Sequence, residues 1–268
     1  MPLEGPDMLL YDKRDHIVTI TLNRPERMNT FTPELFDMAD EAWSRFQKDD
    51  DAWVAILTAA GDRAFSTGMD LKEQAARVAK DPSFDIVKLR PGVLDGSVGT
   101  PRGNKVMKPI IAAINGIATA GGFQLTMQSD IRVASENARF GIGEVKVGRG
   151  TPWAVPMIWQ LPMPIVMEIF MTGELMPAQR LYEVGWINKV VPLDQLLPTA
   201  RQYAETIANN APLSVKAAKE MFSKATAMIT ENGLEIAKLI YGPVYASEDA
   251  VEGPRAFAEK RKPQWKGK

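Results

Sequence analysis

The sequence predicts an α/β fold with a helical C-terminal part. Three observations point there. Short β-branched runs recur as far as residue 191, helical spacings of apolar residues fall between them, and from about residue 194 helical patterns dominate. The chain is therefore divided into a core, residues 1–193, and a C-terminal helical region, residues 194–268.

Taken in order, residues 17–22 and 54–58 are β-branched apolar runs and read as strands. Between them Thr32-Pro33-Glu34-Leu35 starts a helix, with threonine at the N-cap and proline at the first helical position. Leu35, Met38, Ala39, Ala42 and Phe46 continue it at helical spacing. Residues 72–104 are polar and dotted with glycine and proline; so long a stretch in one domain is usually functional, and it reads as a partly helical lid. Residues 109–114 form a buried strand, Asn115-Gly116 a turn, and 123–127 a helix. Residues 131–134 and 138–140 are short strands, Thr151-Pro152 opens another helix, and 186–191 is a late strand ended by Pro192.

Composition narrows the chemistry. Of 268 residues, 45% are hydrophobic and 24% charged, ordinary values for a globular protein able to bury a full core. The net charge of −1 gives no overall attraction to nucleic acid or to a membrane surface. There is no cysteine, which excludes disulfides, thiolate catalysis and Cys-ligated metal. The single histidine, His16, lies in the strand-like run with residues 17–20 and reads as a surface or edge residue, so a His-based triad and a poly-His metal site are not expected. Acid–base chemistry falls to Asp, Glu, Lys or Tyr. The N-terminus lacks a signal pattern and no apolar run reaches the ~18 residues of a membrane span, so a soluble cytoplasmic protein is expected.

Three constellations can carry chemistry. In Ala64-Phe65-Ser66-Thr67-Gly68-Met69-Asp70-Leu71-Lys72, a glycine between strand and helix leaves a backbone N–H free for a ligand oxygen; the same residues also read as a plain connection with Asp70 as N-cap. In Asn115-Gly116-Ile117-Ala118-Thr119-Ala120-Gly121-Gly122, two glycines before a helix expose N–H groups suited to an oxyanion, or else permit tight helix–strand packing. In Phe140-Gly141-Ile142-Gly143-Glu144, a carboxylate stands among glycines and apolar residues; if buried, its pKa rises toward the range useful for proton transfer, whereas at the surface it pairs with Lys146 or Arg149. Gly141-Ile142-Gly143 is not a dinucleotide fingerprint, because Lys146 stands where the third glycine belongs.

These segments, in this order, resemble the crotonase (enoyl-CoA hydratase/isomerase) superfamily over almost the whole chain. Leu22-Asn23-Arg24-Pro25-Glu26-Arg27-Met28-Asn29-Thr30-Phe31 is similar to its opening motif, residues 64–72 to its first oxyanion and adenine loop, and residues 114–122 to its second oxyanion turn. Residues 129–135 and 140–144 match the segments that follow, and residues 247–253 and 256–263 resemble the C-terminal signature.

The resemblance implies a spiral of β-β-α units with C-terminal helices that build a homotrimer or a dimer of trimers. It implies oxyanion donors at the N–H groups of Met69 and Gly121. Coenzyme A, the carrier part of the acyl-CoA substrate and the only cofactor implied, would lay its adenine on the carbonyls of Thr67 and Met69. Arg27, Lys72, and Phe257 and Lys260 from a neighbouring subunit would contact its phosphates or adenine. No metal is implied. Of the family's two catalytic glutamates, the second matches Glu144 and the first falls on Gln124, a carboxamide that orients water or substrate but moves no proton. The implied activity is hydratase/isomerase-type chemistry on an unsaturated acyl-CoA with one catalytic Glu. The alternatives are a hydratase-lyase or other reaction on a short or aromatic acyl-CoA, with Trp153 filling acyl space and Arg149 meeting a substrate carboxylate, and a non-catalytic acyl-CoA-binding scaffold.

Overall fold

The computed structural model describes residues 8–226 except 82, 85, 91 and 148–150, and beyond them residues 243, 246–249, 252, 256, 259 and 261–268. The chain begins with β1 (Leu9–Arg14) and β2 (Ile17–Leu22), a 3₁₀ turn at Pro25–Arg27, α1 (Pro33–Lys48), β3 (Val54–Ala59) and β4 (Ala64–Ser66). Three helices occupy the expected lid: α2 (Leu71–Lys80), α3 (Ile86–Leu89) and α4 (Gly92–Asp95). Then come β5 (Ile110–Ile114), β6 (Ile117–Thr119), α5 (Gly121–Met127), β7 (Ile131–Ser135) and β8 (Arg139–Gly141), followed by 3₁₀ segments at Glu144–Val147 and Pro152–Trp159. The described chain continues through α6 (Met163–Thr172), β9 (Met176–Pro177), α7 (Ala178–Glu183), β10 (Lys189–Val191), α8 (Leu193–Ala208) and α9 (Pro212–Thr226).

Two sheets result. One has the order β1-β2-β3-β5-β7-β10 and the other β4-β6-β8-β9. Consecutive strands alternate between them: β3, β5 and β7 enter the first, and β4, β6 and β8 the second. All pairings are parallel except the outer β1–β2 and β8–β9 pairs.

The first sheet is covered on both faces. Ile17, Val54, Ile56, Ile111, Ala113 and Val133 face α8 through Leu196, Ala200 and Ala204. Their neighbours Val18, Ile20, Ala55, Leu57, Ala112, Ile114 and Ala134 join the larger core with α1 and α5. Side chains alternate across a strand, so burial on both sides demands a continuous apolar run, and β3 and β5 are buried at every position. Helix α1 starts as expected: the Thr32 hydroxyl accepts from the Leu35 N–H at 3.2 Å, with Pro33 at N1.

Three expectations change. The run at 186–191 is strand only from Lys189, because Trp186 and Ile187 turn inward as core. Trp186 stacks on Phe123 at 5.2 Å, meets Phe140 edge-on at 5.6 Å and donates to Gln160 Oε1 at 2.9 Å. Thr151-Pro152 opens a 3₁₀ segment rather than an α-helix, with no side-chain cap; Pro156 inside it supplies no N–H for an α-helical ladder. His16 lies in the β1–β2 turn, not in the strand, at φ 65, and stacks on Trp53 at 3.8 Å.

Behind α5, Arg132 spans its C-terminal end, donating to the carbonyls of Thr126 at 3.1 Å, Ser129 at 2.7 Å and Trp186 at 2.7 Å. Burial pushes its pKa down to about 10, which leaves it charged at neutral pH. Trp186 thus ties α5, β8 and the 3₁₀ segment at 152–159 together. Replacing it with alanine is expected to cost about 3–5 kcal/mol, measured as a lowered urea midpoint; an unchanged midpoint contradicts this role.

Candidate active site

The chain crosses the second sheet at β4 and then reverses through Gly68, whose φ of +81 suits glycine. The Gly68 N–H donates to Ser66 Oγ at 3.2 Å. Its carbonyl accepts from the Phe31 N–H at 2.8 Å, and the Asp70 N–H donates to the Phe31 carbonyl at 2.9 Å. Phe31 and Met69 therefore form a parallel bridge in which Phe31 uses the residues on either side of Met69. Backbone groups alternate in direction along an extended segment, so the N–H of Met69 points away from Phe31. Among the described residues it has no acceptor. Asp70 caps α2, its Oδ1 accepting from the Glu73 N–H at 3.1 Å.

The second turn follows β6. Ala120 takes φ 52, ψ −124, a conformation costly for a residue with a Cβ, and Gly121 opens α5. The Gly121 N–H also lacks an acceptor among the described residues. The two turns touch backbone to backbone. A Cβ on Gly122 would lie 2.1 Å from the Ser66 carbonyl oxygen, and one on Gly68 would lie 3.0 Å from the Gly121 nitrogen. Glycine alone permits that approach, and it brings the two unclaimed N–H groups to one spot.

That spot opens on a cavity of about 110 Å³, room for several waters or a small acyl group. Its walls include Phe31, Phe36, Leu125 and Trp153, and residues of the 92–100 segment cover it. Gly96, at φ +74, sits directly over Gln124: a Cβ there would fall 1.8 Å from Gln124 Nε2. Three carboxylates on α1 hold this cover. Glu34 pairs with Arg77 and Asp37 with Arg90, both at 2.6 Å. Asp40 accepts from the Gly99 N–H at 2.8 Å and Asn104 Nδ2 at 2.7 Å.

Two polar side chains of α5 and the 144–147 segment reach the cavity. Gln124 is 6% exposed, and its Nε2 has no partner among the described residues. Glu144 is half-buried, and its Oε2 is likewise buried and unpaired. Burial pushes the Glu144 carboxyl above its ordinary 4.5, opposed by a hydrogen bond from its own N–H. It is the one titratable side chain among the described residues lining the cavity. No cluster of three or more His, Asp or Glu side chains spaced for a metal ion occurs among the described residues.

The structure thus brings Met69, Gly121, Gln124, Glu144 and Trp153 together. Thr67 adjoins them, its N–H held by the Met28 carbonyl at 3.2 Å. Arg27 and Lys72 are exposed on the two segments joined at Phe31 and Met69, outside the cavity wall. Phe257, Lys260 and Arg149 lie outside the described residues. Sequence reading did not single out Phe36 or Gly96. Phe36 had a signal, being an aromatic residue off the buried stripe of α1; Gly96 looked like any other loop glycine.

Comparison with known proteins shows the family. The profile of the enoyl-CoA hydratase/isomerase family matches residues 12–268. The chain is 38% identical over 257 residues to the (E)-benzylidenesuccinyl-CoA hydratase of Thauera aromatica, covering 94% of this chain and 96% of that one. It is 39% identical over 263 residues to the carnitinyl-CoA dehydratase of Proteus mirabilis, covering 95% and 97%. The crystal structure of an enoyl-CoA hydratase from Mycobacterium tuberculosis superposes with a TM-score of 0.88 at 34% identity, covering 98% of this chain and all of that one.

The raised pKa of Glu144 has a consequence for stability. Its contribution is fully present below pH 4.5 and is lost as pH rises through the higher folded-state value. Glu144→Gln is therefore expected to raise Tm at pH 8 and to leave it nearly unchanged at pH 4. Equal shifts at both pH values contradict the assignment.

Proposed function

This chain belongs to the enoyl-CoA hydratase/isomerase family, and from that premise we propose that it catalyses reversible hydration of the α,β-double bond of a short or flat acyl-CoA with one carboxylate. The observation that carries the reading is a pair of buried, unpaired polar atoms on two side chains that line one cavity, Glu144 Oε2 and Gln124 Nε2. A carboxylate that accepts and an amide that donates are complementary to a water molecule. The hydratase and dehydratase relatives support the same direction.

In this reading the thioester oxygen sits between the N–H groups of Met69 and Gly121. Glu144 takes a proton from the water that Gln124 holds, and the water oxygen bonds to the β-carbon. The double-bond electrons move onto the thioester, whose enolate oxygen is met by the two N–H dipoles. Each such donor is worth roughly 3–4 kcal/mol of barrier. The protonated Glu144 then returns the proton to the α-carbon, which regenerates the carboxylate. Burial supports this double use, because a carboxyl raised above 4.5 is a better match to proton transfer near neutral pH. Phe36, Leu125 and Trp153 favour a flat or aromatic acyl group over a long chain.

Coenzyme A is read as lying over the first loop, its adenine on the carbonyls of Thr67 and Met69. Arg27 and Lys72, with Phe257 and Lys260 from a neighbouring subunit, are read as its further contacts. The alternation of strands between the sheets is read as the family's β-β-α spiral, residues 194–268 as the region that builds a trimer or dimer of trimers, and the setting as cytoplasmic.

Gln124 supports a second reading, double-bond isomerisation, in which Glu144 carries a proton between two carbons and no water is added. A panel of enoyl-CoA thioesters incubated in deuterated water and read by mass separates the two. Gain of one water is expected; a deuterated isomer without added oxygen points to isomerisation, and binding without turnover points to a scaffold. Glu144→Gln is expected to lower kcat about 10²–10⁴-fold with acyl-CoA affinity kept, and an unchanged kcat overturns the single-carboxylate mechanism.

A further inference from the structure

Apart from Phe31 in the cavity wall and Arg27 as a proposed coenzyme A contact, the chemistry above leaves the segment 24–31 without a task. None of its polar side chains lines the cavity, yet its geometry is highly specified. Met28 and Asn29 both take left-handed backbone, at φ 55 and φ 52, and fold the segment into a corner. Asn29 fixes that corner: its Oδ1 accepts from the Arg24 N–H at 2.8 Å, and its Nδ2 donates to the carbonyls of Ala60 at 3.0 Å and Ala64 at 2.8 Å.

From the corner, three backbone hydrogen bonds reach the first turn. They join Thr67 to Met28, Phe31 to Gly68, and Asp70 to Phe31, at 3.2, 2.8 and 2.9 Å. Two side chains complete the grip. Arg24 donates from Nη2 to Asp70 Oδ2 at 3.3 Å and from Nη1 to the Thr30 carbonyl at 2.5 Å. The Thr30 hydroxyl has two acceptors for its one proton, the same Asp70 Oδ2 at 3.0 Å and the Arg27 carbonyl of the corner itself at 2.9 Å. Arg24 and Asp70 are both nearly buried, with side-chain exposures of 11% and 8%. Burial opposes charge on Asp70, but the Glu73 N–H, the Thr30 hydroxyl and Arg24 outweigh it and hold the carboxyl below the usual range.

Residues 67, 68 and 70 are thus each anchored to the corner, and the Met69 N–H between them is left unclaimed. We propose that the 24–31 segment is a clamp that aims the Met69 N–H at the substrate's thioester oxygen, with Arg24 and Asp70 as its positioning residues. The inference rests on reading Met69 as an oxyanion donor. Helix capping accounts for only one oxygen of Asp70, Oδ1; Oδ2 is committed to Arg24 and Thr30. Nor does stability account for the pair, since nearly buried ion pairs add little over apolar packing. What the pair supplies is orientation. A donor helps only when held within about 0.5 Å of the productive position, and a turn hinged on Gly68 does not hold itself.

The test uses Asp70→Asn, which keeps an oxygen to cap α2 but removes the nearer of the two carboxylate charges facing Arg24, Glu73 Oε2 lying at 3.9 Å, together with Arg24→Gln and Arg24→Lys. Ile56→Val, in the sheet face under α8, is the stability control. The substrate is the enoyl-CoA of the panel that the parent enzyme turns over fastest. Asp70→Asn and Arg24→Gln are expected to lower kcat about 10- to 100-fold, less than the loss of a donor outright, with KM within about twofold. Arg24→Lys is expected to recover part of the rate, and Ile56→Val to leave kcat unchanged. Rate losses that track Tm alone, in step with Ile56→Val, overturn the clamp. Gly68→Ala separates the two levels. If it lowers kcat while Asp70→Asn does not, the clamp fails and the donor reading stands; if Gly68→Ala is also without effect, both fall.

Discussion

The site depends on two stretches of backbone meeting without side chains between them. The carbonyl of Ser66 and the α-carbon of Gly122 are so close that no Cβ fits, and Gly68 lies against the nitrogen of Gly121 in the same way. Each stretch follows a strand of the second sheet, β4 in one case and β6 in the other, and these strands pair in parallel. The turns therefore leave the sheet on the same side and at the same level. Ala120 carries the strain of this arrangement in its backbone, a cost tolerated where the surrounding packing overdetermines the conformation. The two exposed N–H dipoles are a product of main-chain geometry, so the identity of the side chain at Met69 is nearly free.

A second constraint is the cover. Acidic residues at 34, 37 and 40, three apart and so on one face of α1, hold three successive points of the 71–104 segment. That segment brings Gly96 down onto Gln124 and closes the cavity. Burial is why Glu144 is hard to ionise; its Oε2 and Gln124 Nε2 are left without a protein partner among the described residues. Fixed dipoles act most strongly where water is displaced. Cover, dipoles and carboxyl are thus parts of one environment, which the proposed mechanism uses to meet charge that appears only during reaction.

Much of this was legible in the sequence, for physical reasons. Strands buried on both faces must be largely apolar, so β3 and β5 stood out, β2 stood out as a β-branched run, and Thr32-Pro33 and Asp70 announced helix starts by their caps. The glycines at 68, 121 and 122 marked the two turns, and Gln124 stood where the resemblance implies a carboxylate. The second sheet was harder to read, because strands such as β4 and β6 span three residues each, too few to show a period. The apolar run at 186–191 misled because Trp186 is apolar for the core and not for a strand. Lids and clamps are made by contacts distant in sequence: Arg24 meets Asp70 across 46 positions. Sequence reading therefore drew attention to Arg27, which is exposed, and not to Arg24, which turns inward.

The central claim is that the Met69 and Gly121 N–H groups polarise a thioester carbonyl. Isotope-edited infrared spectroscopy of a bound acyl-CoA labelled at the thioester carbon tests it most directly, because it reads the carbonyl bond itself and needs no turnover. The account expects the carbonyl stretch to fall to lower frequency on binding to the parent protein, and to fall by less in Gly68→Ala, where the turns are pushed apart. A bound thioester whose carbonyl stretch stays at its free-solution frequency would contradict it.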